Sequence, residues 1–490
     1  MNRRQSLDKV LIQVTRTGLT KVEIRGEAFS DLARKKQSGR PKLNPVIKVA
    51  AAEGDTIISA APGKAGPGKH DSWVRKVLKI LGPGLVTGAA DDDPSGIATY
   101  SSVGAQYGYS MLWTMLFIYP FMAAIQEISG RLGRITGRGI AGNIHRFYPR
   151  WALYSVVALL SLANIINIGA DIGAMGAAVN LLIGGPALVY CVIFAVISVL
   201  LQVFIPYKTY SAVLKWLTLS LFAYVGTVFV THISWTEALR GTFLPTLLFD
   251  RESMAALIAV LGTTISPYLF FWQSGEEVEQ MHSTPKEKPL REGSRHSSEK
   301  PMQRIAIDTY LGMAFSNLIA YFIILTVAVT LHAHGKNDID SASQAAEALR
   351  PIAGPFASLL FSLGIVGTGL LALPVLGGSA AYAVGEALRW PVGLERKLKG
   401  AKAFYGVLAV ATLIGLMIDF TKLDPIKALV WAAIINGVTA APVMCFMMLM
   451  ASNPKIIGKL HLPVYLRVVG WAATGIMVLA AIGMFLTSGK

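Results

Sequence analysis

The sequence predicts an all-α integral membrane protein of about 11 transmembrane helices. They are arranged as two inverted five-helix repeats in which helices 1 and 6 are broken. Three observations predict it. Of 490 residues, 53% are hydrophobic and 15% charged, with a mean hydropathy of +0.51, whereas soluble chains run near a quarter charged. Apolar runs of bilayer-crossing length, about 20 residues as helix, recur from Leu78 onward with basic loops between alternate pairs. Two of those runs, five apart, are interrupted in mid-span by proline.

Composition excludes several classes. The net charge is +16, and residues 1–76 hold 16 basic and 7 acidic side chains, so the tail alone carries +9. With this hydropathy, the excess indicates the cytoplasmic face of a membrane protein and not a nucleic-acid partner. Cys191 and Cys445 both sit inside apolar runs, which excludes a disulfide framework and a cysteine-based metal site. No HExxH, GxSxG or paired-His motif lies within a span, which argues against a membrane-embedded enzyme.

Residues 1–76 lack an apolar run of signal-peptide length and end in a Gly/Pro/Lys-rich stretch, Ala61–Lys69. They are expected to form a basic, mostly disordered cytoplasmic tail with a short amphipathic segment around Leu7–Val22. The transporter domain is expected over 77–487. Its spans lie near 78–106, 110–130, 151–173, 186–206, 211–231, 253–275, 304–332, 353–379, 403–420, 425–451 and 465–487. Repeat one covers about 78–231, repeat two about 253–451, and the helix at 465–487 is extra.

Loop charges set the orientation. With the N-terminus inside, the loop after span 2 carries Arg131, Arg134, Arg138, Arg146 and Arg150. The loop after span 8 carries Arg389, Arg396, Lys397, Lys399 and Lys402, and the loop after span 10 Lys455, Lys459 and Arg467. Opposite loops, such as Tyr107–Ser110, are short and uncharged. This is the positive-inside bias. It places the N-terminus in the cytoplasm, and the expected location is a plasma membrane, the bacterial inner membrane. The lipid bilayer is then an obligatory partner, and the chain is a multi-span transporter or channel.

Function is sought among polar groups inside spans, because they are costly there. Asp91, Asp92 and Asp93 are consecutive about a dozen residues into the first span. Three buried charges would cost on the order of 8–10 kcal/mol on insertion scales, which requires water or a cation nearby. Neighbours on a helix lie about 100° apart, so the three cannot share a face. Asp93, next to Pro94, is the first choice for the site. Pro94 removes a backbone donor and Gly96 adds freedom, so the helix should open and free carbonyl oxygens. Irregular backbone at this depth persists only where it is buried in protein or lines a cavity.

The sixth span repeats the pattern in Gly262–Gln273, where Pro267 follows Thr263, Thr264 and Ser266. Five spans separate the two breaks. An odd offset inverts the second unit, as in transporters whose discontinuous helices hold the substrate at the midplane.

At these residues the chain resembles the NRAMP divalent-metal transporters. The resemblance rests on Gly82-Pro-Gly-Leu-Val86, the Asp93-Pro-Ser-Gly96 break, Gly130–Gly137, Val179-Asn-Leu-Leu182, the Pro267 break and Ser362–Gly369. It covers roughly 78–487. It implies a LeuT-type fold with a divalent metal ion bound between broken helices 1 and 6, as transported cargo with no resident cofactor. The family's first-helix signature is Asp-Pro-Gly-Asn and its sixth-helix signature Met-Pro-His. Here Asp93 keeps the carboxylate, Gly96 stands where the liganding Asn belongs, Ser266 replaces Met and Tyr268 replaces His. Thr263 falls where the family donates a backbone carbonyl.

A thioether favours soft or borderline metals. Without it the expected donors are hard oxygens: Asp93, carbonyls near Ala90 and Thr263, the Ser266 hydroxyl and Asp92. The lost Asn and Met side chains should enlarge the cavity. Mg²⁺ dehydrates reluctantly and keeps several waters beside one or two carboxylates. The altered site is therefore similar to the NRAMP-related magnesium transporters, and Mn²⁺ takes the same ligands. The expected function is inward transport of Mg²⁺ or Mn²⁺ by alternating access. The alternatives are a proton-coupled Mn²⁺/Fe²⁺ symporter of the standard kind, and an organic-solute symporter, against which the consecutive aspartates argue.

Anchored on Val179–Leu182, the family's relay places Ile168 at the first carboxylate position of the third helix and Asp171 at the second, with Tyr268 at the His position. Neither isoleucine nor a tyrosine of ordinary pKa near 10 titrates around neutrality, which predicts weak or absent proton coupling. Asp171 is left to attract the cation or to bond to Asn167. Glu127 should pair with Arg131 at i,i+4. His332 and His334 lie in a polar loop without further ligands. The methionines of Met444–Met450 and the aromatic run Phe270–Trp272 are expected to pack.

Overall fold

The computed structural model describes residues 11–15 and 18–23, residue 88, and residues 90–488 apart from 207–208, 210–216, 247–249, 284–286, 293–298, 340, 395 and 422. Two units separate, Met1–Trp73 and Val74–Lys490. In the first, β1 (Leu11–Thr15) pairs antiparallel with β2 (Gly18–Glu23), from Leu11 opposite Glu23 to Thr15 opposite Gly18. The amphipathic segment expected here is thus a hairpin. Ile12, Val14, Thr15, Thr20 and Val22 are β-branched, which suits strands better than helix. The rest of the expected tail lies outside the described residues, as does the Gly82–Val86 motif.

In the second unit, helices occupy all eleven expected spans. They are α1 (Pro94–Tyr107), α2 (Trp113–Thr136), a short α3 (Ile140–Phe147), α4 (Arg150–Ile183), α5 (Ala187–Phe204), α6 (Phe222–Val230), α7 (Arg251–Thr264) and α8 (Pro267–Ser283). Then follow α9 (Glu299–Thr330), α10 (Ala357–Leu388), α11 (Lys402–Ile418), α12 (Pro425–Ala451) and α13 (Val464–Ser488). Among the described residues, seven spans are individually long and apolar enough to cross a bilayer, counting α7–α8 as one. The helices at Pro94–Met111 and Trp113–Thr136 pass together as a pair bent by 109°, and 219–230 and Lys402–Ile418 are shorter apolar helices. The starts of the first and fifth expected spans fall on residues not described.

Local sequence explains the boundaries. Pro149 precedes α4 and Gly184, at φ 69°, ends it in a backbone region that favours glycine. Asp250 caps α7 by accepting from Ser253 N, and Asp424 caps α12 by accepting from Ile426 N and Lys427 N.

Packing sorts the helices. α4 runs through the middle against α5, α10, α11 and α12, while α2 packs on both α8 and α9 and α9 carries α1. The apolar window of the α7–α8 span is 89% buried, against 22% for α5 and 33% for α13. The broken span is therefore enclosed, and α5 and α13 present their sides to lipid, with Val196, Leu200, Leu479 and Phe485 exposed. α7 reaches α12 through a glycine crossing. A Cβ at Gly262 would strike the Ala433 carbonyl and the Gly437 backbone. Small residues at membrane helix crossings allow such approach.

Replacing Gly262 with valine should therefore force α7 off α12. Overpacking a close contact costs about 1–3 kcal/mol, so the variant should lose monodisperse protein in detergent at a lower temperature. Gly475→Val, at a position where a Cβ meets nothing within 4 Å, is the control and should melt like the parent.

Candidate functional site

Both broken spans resume on a proline. In span 1 the helical turn at Ala90 and Asp91 stops, Asp92 and Asp93 are non-helical, and α1 starts with Pro94. Proline suits the first position of a helix, where no donor is needed. Asp93 is the N-cap, with φ −68° and ψ 170°. In span 6, α7 ends at Thr264, and Ile265 and Ser266 bridge to Pro267.

The Asp93 carboxylate is fully engaged. Its Oδ1 accepts from Ser95 Oγ at 2.6 Å and Gly96 N at 2.8 Å. Its Oδ2 accepts from Asn167 Nδ2 of α4 at 3.1 Å and Tyr268 OH of α8 at 3.0 Å. A carboxylate has about four lone-pair sites, and each is matched by a donor. Asp93 thus joins α1, α4 and α8 at the break.

Its neighbours turn elsewhere. Ser316 Oγ of α9 lies 2.6 Å from Asp91 Oδ2 and 3.0 Å from Asp92 Oδ1, and Asp91 Oδ1 is buried without a partner. Asp92, expected beside Asp93 among the donors, faces α9 instead, because the break turns successive side chains to different helices.

Ser266 and Thr263 also differ from expectation in detail. The Ser266 hydroxyl donates to the carbonyls of Gly262 and Thr263, each at 2.8 Å, and so satisfies acceptors that the break frees. The Thr263 hydroxyl is buried with no partner. Nor is the space beside Gly96 enlarged. A Cβ on residue 96 would lie 3.1 Å from Thr263 Oγ1, 3.3 Å from the Tyr100 ring and 3.4 Å from the Asp91 carbonyl oxygen. Thr263 and Tyr100 fill the place of the missing side chain. The carbonyl turned to this point is that of Asp91, one residue beyond Ala90, which is itself buried.

Asp171 does not bond to Asn167, whose amide goes to Asp93. Both Asp171 carboxylate oxygens are buried and unpartnered, as is Asn167 Oδ1. Ile168 is buried. Among the described residues no three His, Cys, Asp or Glu side chains converge as a metal cluster.

The surroundings are asymmetric. A cavity of about 270 Å³ lies between α1, α7 and α12, lined by Thr99, Ser102, Gln106, Glu252, Asp338 and Lys427 among others. Thr99 is one helical turn beyond Ser95, so this cavity approaches the break from that end. The opposite end is tied by polar contacts. Glu279 Oε1 of α8 accepts from Tyr382 OH of α10 and Leu394 N, both at 2.6 Å. Glu386 of α10 accepts from Gly139 N and Gly142 N at the start of α3. Glu277 pairs with Arg304 at 2.6 Å, and Arg134 with Glu287.

The remaining candidates fall into place. Glu127 pairs with Arg131 at 2.6 Å. His332 Nδ1 donates to the Ala105 carbonyl and His334 Nδ1 to that of Thr330, and the two imidazoles converge on no shared ligand site. Phe270, Phe271 and Trp272 are buried, the indole 6.2 Å from the Tyr382 ring. Ser316 and Tyr100 were not singled out in the sequence. The one signal for Ser316 was its polar pairing with Asn317 in an apolar span.

The profile described as natural resistance-associated macrophage protein-like, Nramp, matches residues 84–487. The chain belongs to the Nramp family. Members are metal-ion transporters and not enzymes, and this Nramp chain is an integral membrane transporter. It is 25% identical over 418 residues to a divalent metal cation transporter MntH of Klebsiella pneumoniae, covering 82% of this chain and 93% of that protein. It is 23% identical to one of Deinococcus radiodurans, covering 85% and 90%. The Eremococcus coleocola manganese transporter superposes with a TM-score of 0.67 at 14% identity, over 85% of this chain and 88% of that one. MhsT with bound L-phenylalanine superposes at 0.56 and 13% identity, over 81% and 98%. The Nramp chain has the LeuT-type fold, with helices 1 and 6 broken.

Ser316→Ala would leave the buried Asp91 and Asp92 without their shared donor. A lost partner on a buried acceptor costs about 1–3 kcal/mol, so the purified variant should melt several degrees lower. Ser316→Thr, which keeps the hydroxyl, should recover most of the loss.

Proposed function

We propose that this chain carries a divalent cation, Mg²⁺ or Mn²⁺, across a bacterial plasma membrane into the cytoplasm by alternating access, with weak or no proton coupling. The N-terminus is placed inside on the loop charges. The observation that carries the reading is the donor set at the two breaks. Asp93 brings the carboxylate, Ser266 brings a hydroxyl oxygen, the interrupted helices bring carbonyls, and sulfur and imidazole are missing from the positions where the family signature has them. Hard oxygen donors around a single carboxylate suit a cation that retains water.

Asp93 is proposed as the ligand, with the carbonyls near Ala90 and Thr263 and the Ser266 hydroxyl around it. Gly96, Pro94 and Pro267 shape the opening, and Asn167 and Asp171 supply polar groups behind Asp93. The two unpartnered oxygens of Asp171 favour a role in drawing the cation inward. The relatives named for manganese or for divalent metal cations favour Mn²⁺ among the cargoes, so a proton-coupled Mn²⁺ symporter is the second reading.

Purified protein in proteoliposomes should take up Mg²⁺ and Mn²⁺, and Asp93→Ala should abolish that uptake while the protein still folds. The same vesicles loaded with a pH-sensitive dye should show no cation-dependent acidification. Acidification that disappears in Asp171→Asn would establish the symporter instead. Transport that survives Asp93→Ala but not Asp92→Ala would move the site to the neighbouring aspartate.

Selectivity should follow the donors. Because Thr263 and Tyr100 crowd residue 96, Gly96→Asn needs Thr263→Ala beside it to fit. The triple variant Gly96→Asn, Thr263→Ala, Ser266→Met should raise Cd²⁺ and Mn²⁺ uptake relative to Mg²⁺. An unchanged order of preference would mean that groups away from the breaks set selectivity.

A further inference from the structure

All four lone-pair sites of Asp93 are taken by protein donors, and they differ in kind. Ser95 Oγ and Gly96 N belong to the start of α1 itself and form its cap. Asn167 Nδ2 and Tyr268 OH come from other helices and both sit on Oδ2. Tyr268 is fully buried, at 1% exposure, so no water stands ready to replace its bond. A cation cannot coordinate Oδ2 while both donors remain.

We infer that the Tyr268 hydroxyl takes the cation's place on Asp93 in the empty carrier, latching helix 6 to helix 1 so that the unloaded protein can reorient. This rests on the proposal that Asp93 is the ligand. A carrier working by net transport must return empty, and on that return Asp93 is a buried acceptor with no cation. Buried carboxylates are tolerated when their acceptors are matched. Tyr268 supplies that match from the second residue of α8, the half-helix that must stay docked against α1 while the site is closed. The cap on Oδ1 is untouched by the exchange, so α1 keeps its start whether or not a cation is present. Cation binding then releases Tyr268, and cation departure restores it. Asn167 assists from α4, and its unpartnered Oδ1 gives it an acceptor to turn toward a bound ion. Tyrosine fits this role because its phenol donates at neutral pH without carrying charge, and so it does not repel an incoming cation.

Two transport modes separate this role from a purely structural one. Net uptake requires the empty return, whereas exchange of cation for cation does not. Full-length protein in proteoliposomes would be assayed with radioactive Mn²⁺ in both modes, with saturating unlabelled Mn²⁺ inside for exchange and a chelator inside for net uptake. A hydrogen bond to a charged group is strong enough that its loss should slow net uptake by about tenfold in Tyr268→Phe. Exchange should stay within about twofold of the parent, and the apparent KM should fall because a competitor for Oδ2 is gone. Tyr268→His, which restores a donor, should recover part of the net rate, and Asn167→Leu should show the same split to a smaller degree. Equal loss in both modes, unchanged net uptake, or a raised KM in Tyr268→Phe would overturn the inference and make Tyr268 a packing group or a ligand. Asp93→Ala reports on the underlying proposal separately, since it should abolish both modes. Transport surviving that change would remove Asp93 as ligand whatever Tyr268 does.

Discussion

The bilayer interior offers no water to a broken helix, and the centre of this protein is organised by that constraint. Every carbonyl and amide freed at the two interruptions needs a partner from within the protein. At the first break the carboxylate of Asp93 caps the amide of Gly96. At the second, the hydroxyl of Ser266 closes onto the carbonyls of Gly262 and Thr263. Each interruption thus carries its own polar plug and a proline that starts the next half-helix. The plugs are complementary, an acceptor at a helix start and a donor at a helix end. Tyr268 then joins the two by bonding to Asp93.

The breaks were legible because proline and consecutive aspartates are conspicuous in apolar runs. The capping role of Asp93 came from the structure, although an aspartate directly before a proline that opens a helix is a standard start. The partners were not legible. Tyr268 is 175 residues from Asp93, and Ser316 is 225 from Asp91. No periodicity in a span says which of its hydroxyls will meet a distant carboxylate. The filling of the space beside Gly96 was hidden for a similar reason. Removing a side chain on paper leaves a void, whereas close-packed interiors let neighbours such as Thr263 and Tyr100 occupy it. The segment around Leu7–Val22 was read only as amphipathic, and its β-branched alternation, which favours strands, was not used to assign the hairpin at Leu11–Glu23.

The four buried carboxylates around the breaks differ in how well they are satisfied, and that ranks what each can do. Asp93 has a full complement of donors and must exchange partners before it can hold an ion. Asp91 and Asp92 share the single hydroxyl of Ser316, with one Asp91 oxygen left over. Asp171 has no partner at all. An unsatisfied buried acceptor attracts a cation without any bond being broken first. The proposed site therefore combines two kinds of acid, one structural until displaced and one electrostatic throughout.

Motion in such a site must respect the contacts at its closed end. α8 is tied to α2 by Gln126 Nε2 donating to the Leu269 carbonyl at 3.0 Å and by Ser129 Oγ donating to that of Phe270, and to α9 by Arg304 on Glu277. Those bonds travel with α8 if the group moves as a body. The bonds of Glu279 cross instead to Tyr382 of α10, which packs with α4 and α11, and to Leu394 N in the segment after it. The indole of Trp272 is held in the same place, close against Gly378. Opening that end therefore exchanges the bonds of Glu279 to Tyr382 and Leu394 N and those of Glu386 to Gly139 N and Gly142 N, while the ties of α8 to α2 and α9 persist. Hinged closure of packed elements needs this division between bonds that are kept and bonds that are exchanged. Tyr268 and Glu279 lie eleven residues apart on α8, about 16 Å at the helical rise, so one helix carries the contact to Asp93 near its start and the contact to α10 near its end. A shift of α8 that releases Glu279 acts on the same rigid rod that carries Tyr268, which gives the proposed ion site and the closed end a direct mechanical connection.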